Sequence, residues 1–204
     1  KGPLVSATSW AIVVSYEDVG HTLDSDANEL NYDEMLDQMK EGARQENPER
    51  KKAGYPTIEL LGWAEPPHYD ASAKKLYWAK RLQFEGSSSP TLNYDVRILG
   101  RKGRLLMTAV ATDDQLATMH EGCKGVLVAT EFTKGNRYDE FDDGVDKTAA
   151  GGIAGLILGG AVVAKAAKAG ILAKLAKPII VGVIAVASAI GRALGLKKSG
   201  PAAA

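Results

Sequence analysis

The chain has 204 residues with 25 basic and 25 acidic side chains, so its formal net charge is zero. The two signs are separated, because residues 1–145 carry a net charge of −7 and residues 146–204 carry +7. An acidic body argues against a protein that binds nucleic acid through phosphates, and the chain contains neither a phosphate-loop nor a dinucleotide glycine motif. Its length suffices for one folded domain and one anchor.

A strand and a polar loop open the chain. Residues 10–17 are rich in β-branched and aromatic side chains and predict a strand. Residues 20–31 are polar, and the alternate polar positions from Asp24 resemble a calcium loop. Glu29 and Met35, however, stand where such a loop requires Gly and Glu. The pattern therefore favours a solvated loop that caps the next helix.

A helix is predicted from Tyr32, with Asn31 as its N-terminal cap and Pro48 as the residue that ends or kinks it. Its apolar positions form one stripe that should lie on a sheet, composed of Tyr32, Met35, Leu36, Met39 and Ala43.

An antiparallel meander is predicted next. Strands are expected over residues 57–63, 74–84, 92–99 and 105–111, joined by turns at residues 64–70, 86–90 and 100–104. Asp113 can cap a helix that runs to about Lys124, and residues 126–132 either continue this helix or form a last strand. The predicted fold class is α+β, with an antiparallel sheet covered by helices.

Residues 1–133 are interpreted as a periplasmic domain. The sequence after it predicts a linker and a membrane anchor. Residues 134–147 carry five acidic side chains and are interpreted as a hydrated linker. Residues 148–198 are interpreted as a glycine-rich transmembrane helix or helical hairpin, followed by a tail at residues 199–204. Residues 149–164 contain no charged or polar side chain and would extend ~24 Å as a helix.

The anchor comprises a first span at residues 148–164 and a second span or re-entrant segment at residues 178–191. Both runs are short, so buried core helices of a soluble protein remain the alternative. Small residues every four positions are typical of helix packing in membranes and predict self-association through Gly151, Gly155 and Gly159. Four lysines are expected to meet lipid headgroups, namely Lys165, Lys168, Lys174 and Lys177.

The positive-inside rule places these lysines in the cytoplasm and the folded domain in the bacterial periplasm. Because that topology requires a secretory signal and the chain opens without Met, we expect a processed product or a fragment.

Two groups of side chains are candidates for a catalytic or metal-binding site. His68 and Asp70, with Glu65 and Tyr69 beside them, lie in a predicted turn that two prolines make rigid, where a general base can be held in place. The alternative is a turn in which these side chains cap backbone groups and Tyr69 packs. His120 and Cys123 share one helix face, but two ligands do not make a metal site. No catalytic residue, metal or cofactor is therefore predicted, and Cys123 is expected to be buried.

The sequence resembles a bacterial family of predicted membrane-anchored proteins of unknown function. The resemblance covers most of residues 10–198 and is carried by WAEPPHYD at residues 63–70 and NYDVRILGRKG at residues 93–103. It implies an export signal, an envelope location and no established activity, and it transfers no catalytic residue.

These patterns favour a non-catalytic envelope interaction or scaffolding protein at the bacterial inner membrane. Its expected partners are membrane lipid and either further copies of itself or other envelope proteins. The alternatives are an envelope enzyme that uses His68 and Asp70, and an oligomeric pore built on the glycine stripe.

Overall fold

The β-rich middle of the chain forms one antiparallel sheet, seen in a computed structural model that describes residues 11–159. Its strands are β1 (Ala11–Glu17), β2 (Ile58–Asp70), β3 (Lys75–Phe84), β4 (Thr91–Leu99) and β5 (Arg104–Thr112). The strand order is β1-β5-β4-β3-β2, so the first strand returns to pair with the last and β1 and β2 are the two edges. The predicted α+β class with an antiparallel sheet is confirmed.

Within residues 11–159 three α-helices accompany the sheet, namely α1 (Tyr32–Lys52), α2 (Leu116–Val128) and α3 (Gly152–Leu158). The side chain of Asn31 accepts hydrogen bonds from the first turn of α1, as predicted. Pro48 lies inside α1 and does not end it. The alternative left open for residues 126–132 is resolved in favour of helix as far as Val128.

Alternation along β3 sends successive side chains to opposite faces of the sheet. Ala79 belongs to a buried cluster that includes Met119 and Cys123 of α2. Leu76 and Trp78 belong to a second cluster with residues of α1 and α3. Burying a large apolar side chain contributes about 1.5–3 kcal/mol. The sheet is therefore packed on both faces.

The predicted turn at residues 64–70 is wrong, because β2 continues through both prolines to Asp70. The pairing of β2 with β3 shifts register three times, between Leu60 and His68, and the chain reverses at residues 71–74. An edge strand tolerates proline because its outer side needs no ladder hydrogen bond.

Residues 134–147, the predicted linker, are mostly exposed, and side-chain contacts fix them to the domain. The Oη of Tyr138 donates a hydrogen bond to the carbonyl of Thr22 at 2.9 Å. Nε of Arg101 donates to the carboxylate of Asp146 at 2.5 Å. The segment therefore follows the surface of the domain.

Over residues 148–159 the structure differs from the predicted first span. The helix here is only α3, and Ile153, Leu156 and Ile157 are buried in the core that α3 shares with α1 and the sheet. Within residues 11–159 no helix is both long and apolar enough to cross a bilayer. The rest of the anchor prediction lies outside the described residues. This applies to residues 160–164 of the first span, to residues 178–191, and to Lys165, Lys168, Lys174 and Lys177.

Candidate functional site

The loop at residues 20–31 and the segment at residues 134–149 meet beside the start of α3, and we call this region the junction. The amide of His21 donates to the carbonyl of Lys147, and the amide of Ala149 donates to the carbonyl of His21, both at 2.7 Å. Gly20 makes this close approach with φ of +93°, since a Cβ there would lie 2.6 Å from the Lys147 oxygen.

Asp26 holds the first turn of α3. Its two carboxylate oxygens accept hydrogen bonds from the amides of Ile153 and Ala154, each at 3.0 Å. A carboxylate at this position satisfies amides that have no partner inside the helix and lies at the positive end of its dipole. Gly152 permits the approach, because a Cβ there would lie 2.7 Å from the Asp26 carboxylate. The junction therefore caps α3 from a distant loop.

Asp24 connects the same loop to the β2–β3 hairpin. Its carboxylate accepts a hydrogen bond from the Oη of Tyr69 at 2.7 Å and from Nζ of Lys74 at 2.8 Å. Burial raises the pKa of Asp24, but hydrogen bonds from Lys74, Tyr69 and Tyr138 outweigh it and leave that pKa below its usual value. Asp24 is therefore ionised at neutral pH and ties three separate segments together.

His21 is enclosed by aromatic rings. It is 4% exposed, and its ring centroid lies 4.0 Å from that of Phe141 and 4.2 Å from that of Tyr138. Burial lowers the pKa of His21, so the imidazole is neutral at pH 7. This neutral ring packs residues 138–141 onto the domain.

The predicted glycine stripe shapes the ends of α3. Gly151 precedes the helix with φ of +94°, and Gly159 follows it with φ of +70°. Only Gly155 of the three lies inside the helix, where its amide donates to the Gly151 carbonyl at 2.7 Å. Over the described residues, two members of the stripe therefore terminate a helix, because Gly adopts positive φ at little cost.

His68 and Asp70 make separate contacts in the structure. The carboxylate of Asp70 accepts hydrogen bonds from the amide and hydroxyl of Ser72 and from the amide of Ala73, which closes the β2–β3 turn. The hydroxyl bond from Ser72 contributes most to the lowered pKa of Asp70. His68 is exposed and stacks on Tyr77 with centroids 6.3 Å apart. The contacts of Asp70 match the capping alternative.

A groove of about 450 Å³ lies instead between α1 and the opposite end of β2, and its lining contains neither His68 nor Asp70.

Sequence reasoning missed a pairing between Glu65 and His120. Their side chains approach to 2.6 Å between Oε2 and Nε2, with the Tyr94 ring 5.0 Å from the imidazole. The bulges of β2 bring Glu65 under α2, and no local pattern reveals such a shift. Cys123, one turn along α2, is 4% exposed as predicted, and burial raises its pKa, so it is a thiol and not a thiolate.

The nearby Cys123 is not an activated nucleophile for this pair, because it is a buried thiol. Among residues 11–159, no cluster of three or more His, Cys, Asp or Glu side chains is arranged to hold a metal ion.

Comparison with known proteins gives one match. A family model described as "Protein of unknown function (DUF2167)" matches residues 1–191. No curated protein and no solved structure matches the chain.

Proposed function

We propose that this chain, which belongs to the DUF2167 family of proteins of unknown function, acts as a membrane-anchored interaction or scaffolding protein of the bacterial envelope. The folded domain lies on the periplasmic side of the inner membrane and offers binding surfaces there. The apolar sequence that follows α3 holds it at the bilayer. Its partners are membrane lipid and further copies of itself or other envelope proteins, and it catalyses no reaction.

The attachment of α3 to the domain is the observation that carries this proposal. Asp26 caps the helix, and Ile153, Leu156 and Ile157 bury its apolar face in the core. The described part of the glycine-rich sequence, up to Gly159, is therefore held to the domain by packing and hydrogen bonds. A segment tied in this way transmits the position of a membrane anchor to the folded domain.

The distribution of charge supports an orientation in which residues 146–204 are next to the lipid and residues 1–145 are held away from it. Residues 146–204 carry a net charge of +7, and the lysines of the apolar region are Lys165, Lys168, Lys174 and Lys177. A basic residue near an anionic lipid surface contributes about 1 kcal/mol to binding. The acidic body is repelled by that surface, so the two halves of the chain favour one orientation.

Vesicle flotation of the full chain tests the proposal. The protein is mixed with vesicles of phosphatidylcholine, alone or with phosphatidylglycerol, and centrifuged in a density gradient. We expect it to float with both kinds of vesicle and to resist a salt wash, because the apolar segment inserts. Substituting the four lysines with Glu should lower the low-salt affinity for anionic vesicles at least ~10-fold.

The matched control changes four exposed lysines of the domain to Glu, namely Lys51, Lys52, Lys124 and Lys134. This control alters the net charge equally and should keep its affinity for anionic vesicles. Wild-type protein that stays at the bottom of both gradients would refute the proposal, as would equal losses in the two variants.

The alternatives make different predictions. The enzyme would need His68 and Asp70 to act together, whereas Asp70 holds a turn and His68 stacks on Tyr77. A pore would require a ring of subunits, which native mass spectrometry of the detergent-extracted protein measures directly.

A further inference from the structure

Strand β1 presents an open edge of the sheet. Within residues 11–159 its outer side pairs with no strand, and its sequence AIVVSYE contains no Pro, Gly or Lys. Val13, Val14 and Tyr16 are 37%, 55% and 51% exposed. Folded proteins usually protect such an edge with charges, prolines, bulges or a covering element. An unprotected β-branched edge therefore indicates a surface that receives another strand.

The only charge on β1 is already neutralised. The carboxylate of Glu17 accepts hydrogen bonds from the guanidinium of Arg104 at 2.7 and 2.8 Å, and both side chains are mostly buried. An incoming strand therefore meets no unpaired charge on β1. This favours an uncharged β-branched or aromatic strand over an acidic or basic peptide.

We infer that the strand received at this edge is β1 of a second copy of the chain. Antiparallel pairing about Val14 places Val14 opposite itself, Val13 opposite Ser15, Ile12 opposite Tyr16, and Ala11 opposite Glu17. No like charges face each other in this register, and the pairs of Ile12 with Tyr16 join a β-branched residue to an aromatic one, a combination that stabilises sheets. Each copy contributes the same surface, so the contact has two-fold symmetry.

The assembly closes at two copies because the opposite edge is blocked. At β2, the side chain of Asn47 both donates to and accepts from the backbone of Ile58, and Pro66 and Pro67 lack the backbone N–H that an added strand would need. Two five-stranded sheets thus join into one ten-stranded sheet. Both of its outer edges are β2, so no third copy can add to it. The inference names a partner for the proposed interaction role, but the contact lies in the folded domain and does not depend on the membrane segment.

A strand of seven residues a side contributes less area than the ~1,200–2,000 Å² of a stable interface. The dimer is therefore weak in dilute solution and is favoured at high concentration or when two copies share one surface.

Cross-linking of the full chain tests the contact without lipid. Val14→Cys in detergent solution is treated with a short bifunctional maleimide, and Val128→Cys serves as the control because Val128 is 80% exposed at the end of α2. We expect Val14→Cys to give covalent dimers at least ~10-fold faster, since opposed Cβ atoms in a strand pair lie ~5 Å apart. Equal rates in the two variants, or no dimer from Val14→Cys, would overturn the inference.

Charge repulsion gives the second measurement. Val14→Lys places two ammonium groups opposite each other at the symmetry axis and should weaken dimerisation at least ~10-fold, measured by analytical ultracentrifugation. Val128→Lys should dimerise as the wild type does. Circular dichroism and thermal unfolding confirm that both variants are folded.

A wild-type dimer constant in Val14→Lys contradicts the inference whatever the protein does on vesicles. A failure to float with vesicles contradicts the proposed membrane role and leaves this contact standing.

Discussion

The two edge strands of the sheet, β1 and β2, differ in whether other groups cover their outer backbone. At strand β2, backbone groups on the outer side form hydrogen bonds with a side chain of α1. Nδ2 of Asn47 donates to the Ile58 carbonyl at 3.0 Å, and Oδ1 accepts from the Ile58 amide at 2.9 Å. Nε of Arg50 donates to the carbonyl of Pro56 at 3.0 Å, just before the strand. Strand β1 has no such cover among the described residues, and its Val13 and Val14 side chains are exposed.

The difference shows that the sequence protects one edge at the expense of regular pairing and keeps the other regular and open. Two prolines and three register shifts weaken the hydrogen-bonded pairing of β2 with β3. If both edges served only to end the sheet, we would expect β1 to carry similar protective features. The regular pairing of β1 with β5 over all seven residues instead keeps a straight template available.

The largest effect is expected from Gly103→Ala. A Cβ at this position would lie 2.1 Å from the carbonyl oxygen of Glu17 and 2.6 Å from Oη of Tyr16, so β1 must move away from β5. Overpacking of this kind costs about 1–3 kcal/mol and sometimes more. Urea unfolding should show this loss, and the β1 amides should exchange faster with solvent.

Gly125→Ala is the matched control, because a Cβ there meets nothing within 4 Å inside α2. Removing a glycine from a helix interior should stabilise the protein by about 0.5–1 kcal/mol. Equal changes in the unfolding free energy of the two variants would contradict the tight approach of β1 to Gly103.

A smaller effect is expected at the protected edge. Asn47→Ala removes both hydrogen bonds to Ile58 and should lower the free energy of unfolding by about 1–3 kcal/mol, partly offset by the better helix propensity of Ala. The variant should also form oligomers larger than a dimer in light scattering, since β2 is then unprotected. Gln45→Ala, two residues earlier on α1, should do neither.

The smallest effect is a pH dependence at the start of β2. The carboxylate of Glu85 accepts hydrogen bonds from the amide and hydroxyl of Thr57, and the amide bond contributes most to lowering the pKa of Glu85. Its stabilisation is complete above the unfolded pKa of about 4.3 and is lost as the pH falls through the lower folded value.

Glu85→Gln should therefore flatten the dependence of stability on pH below about 5, and the exposed Glu131→Gln should leave it unchanged. Identical pH profiles for wild type and Glu85→Gln would contradict the role of Glu85.

Much of the sheet was predictable because β3, β4 and β5 are regular strands joined by short turns. The cap at Asn31 was readable for the same local reason. Strand β2 was cut short because Pro66 and Pro67 signal a turn, and only the tertiary position of an edge strand overrides that signal.

The junction was not predictable, since it joins residues far apart in sequence. Nothing near Asp26 indicates that it caps a helix at Ile153, and nothing near Glu65 indicates its contact with His120. Composition identified the glycine-rich run as apolar but did not show that α3, at its start, is buried in the domain. Residues Ile153, Leu156 and Ile157 belong to the core because α1 and Trp78 provide an apolar surface for them.

The contact between Asp26 and Ile153 spans 127 residues and bears on the order in which the protein folds. A helix of seven residues is shorter than the ~12–15 that an isolated helix needs in water, so α3 forms only on an assembled domain. At a synthesis rate of ~5–20 residues per second, the sheet precedes Ile153 out of the ribosome by a few seconds. Among the elements of residues 11–159, α3 is therefore the last to form, and Asp26 fixes its first turn.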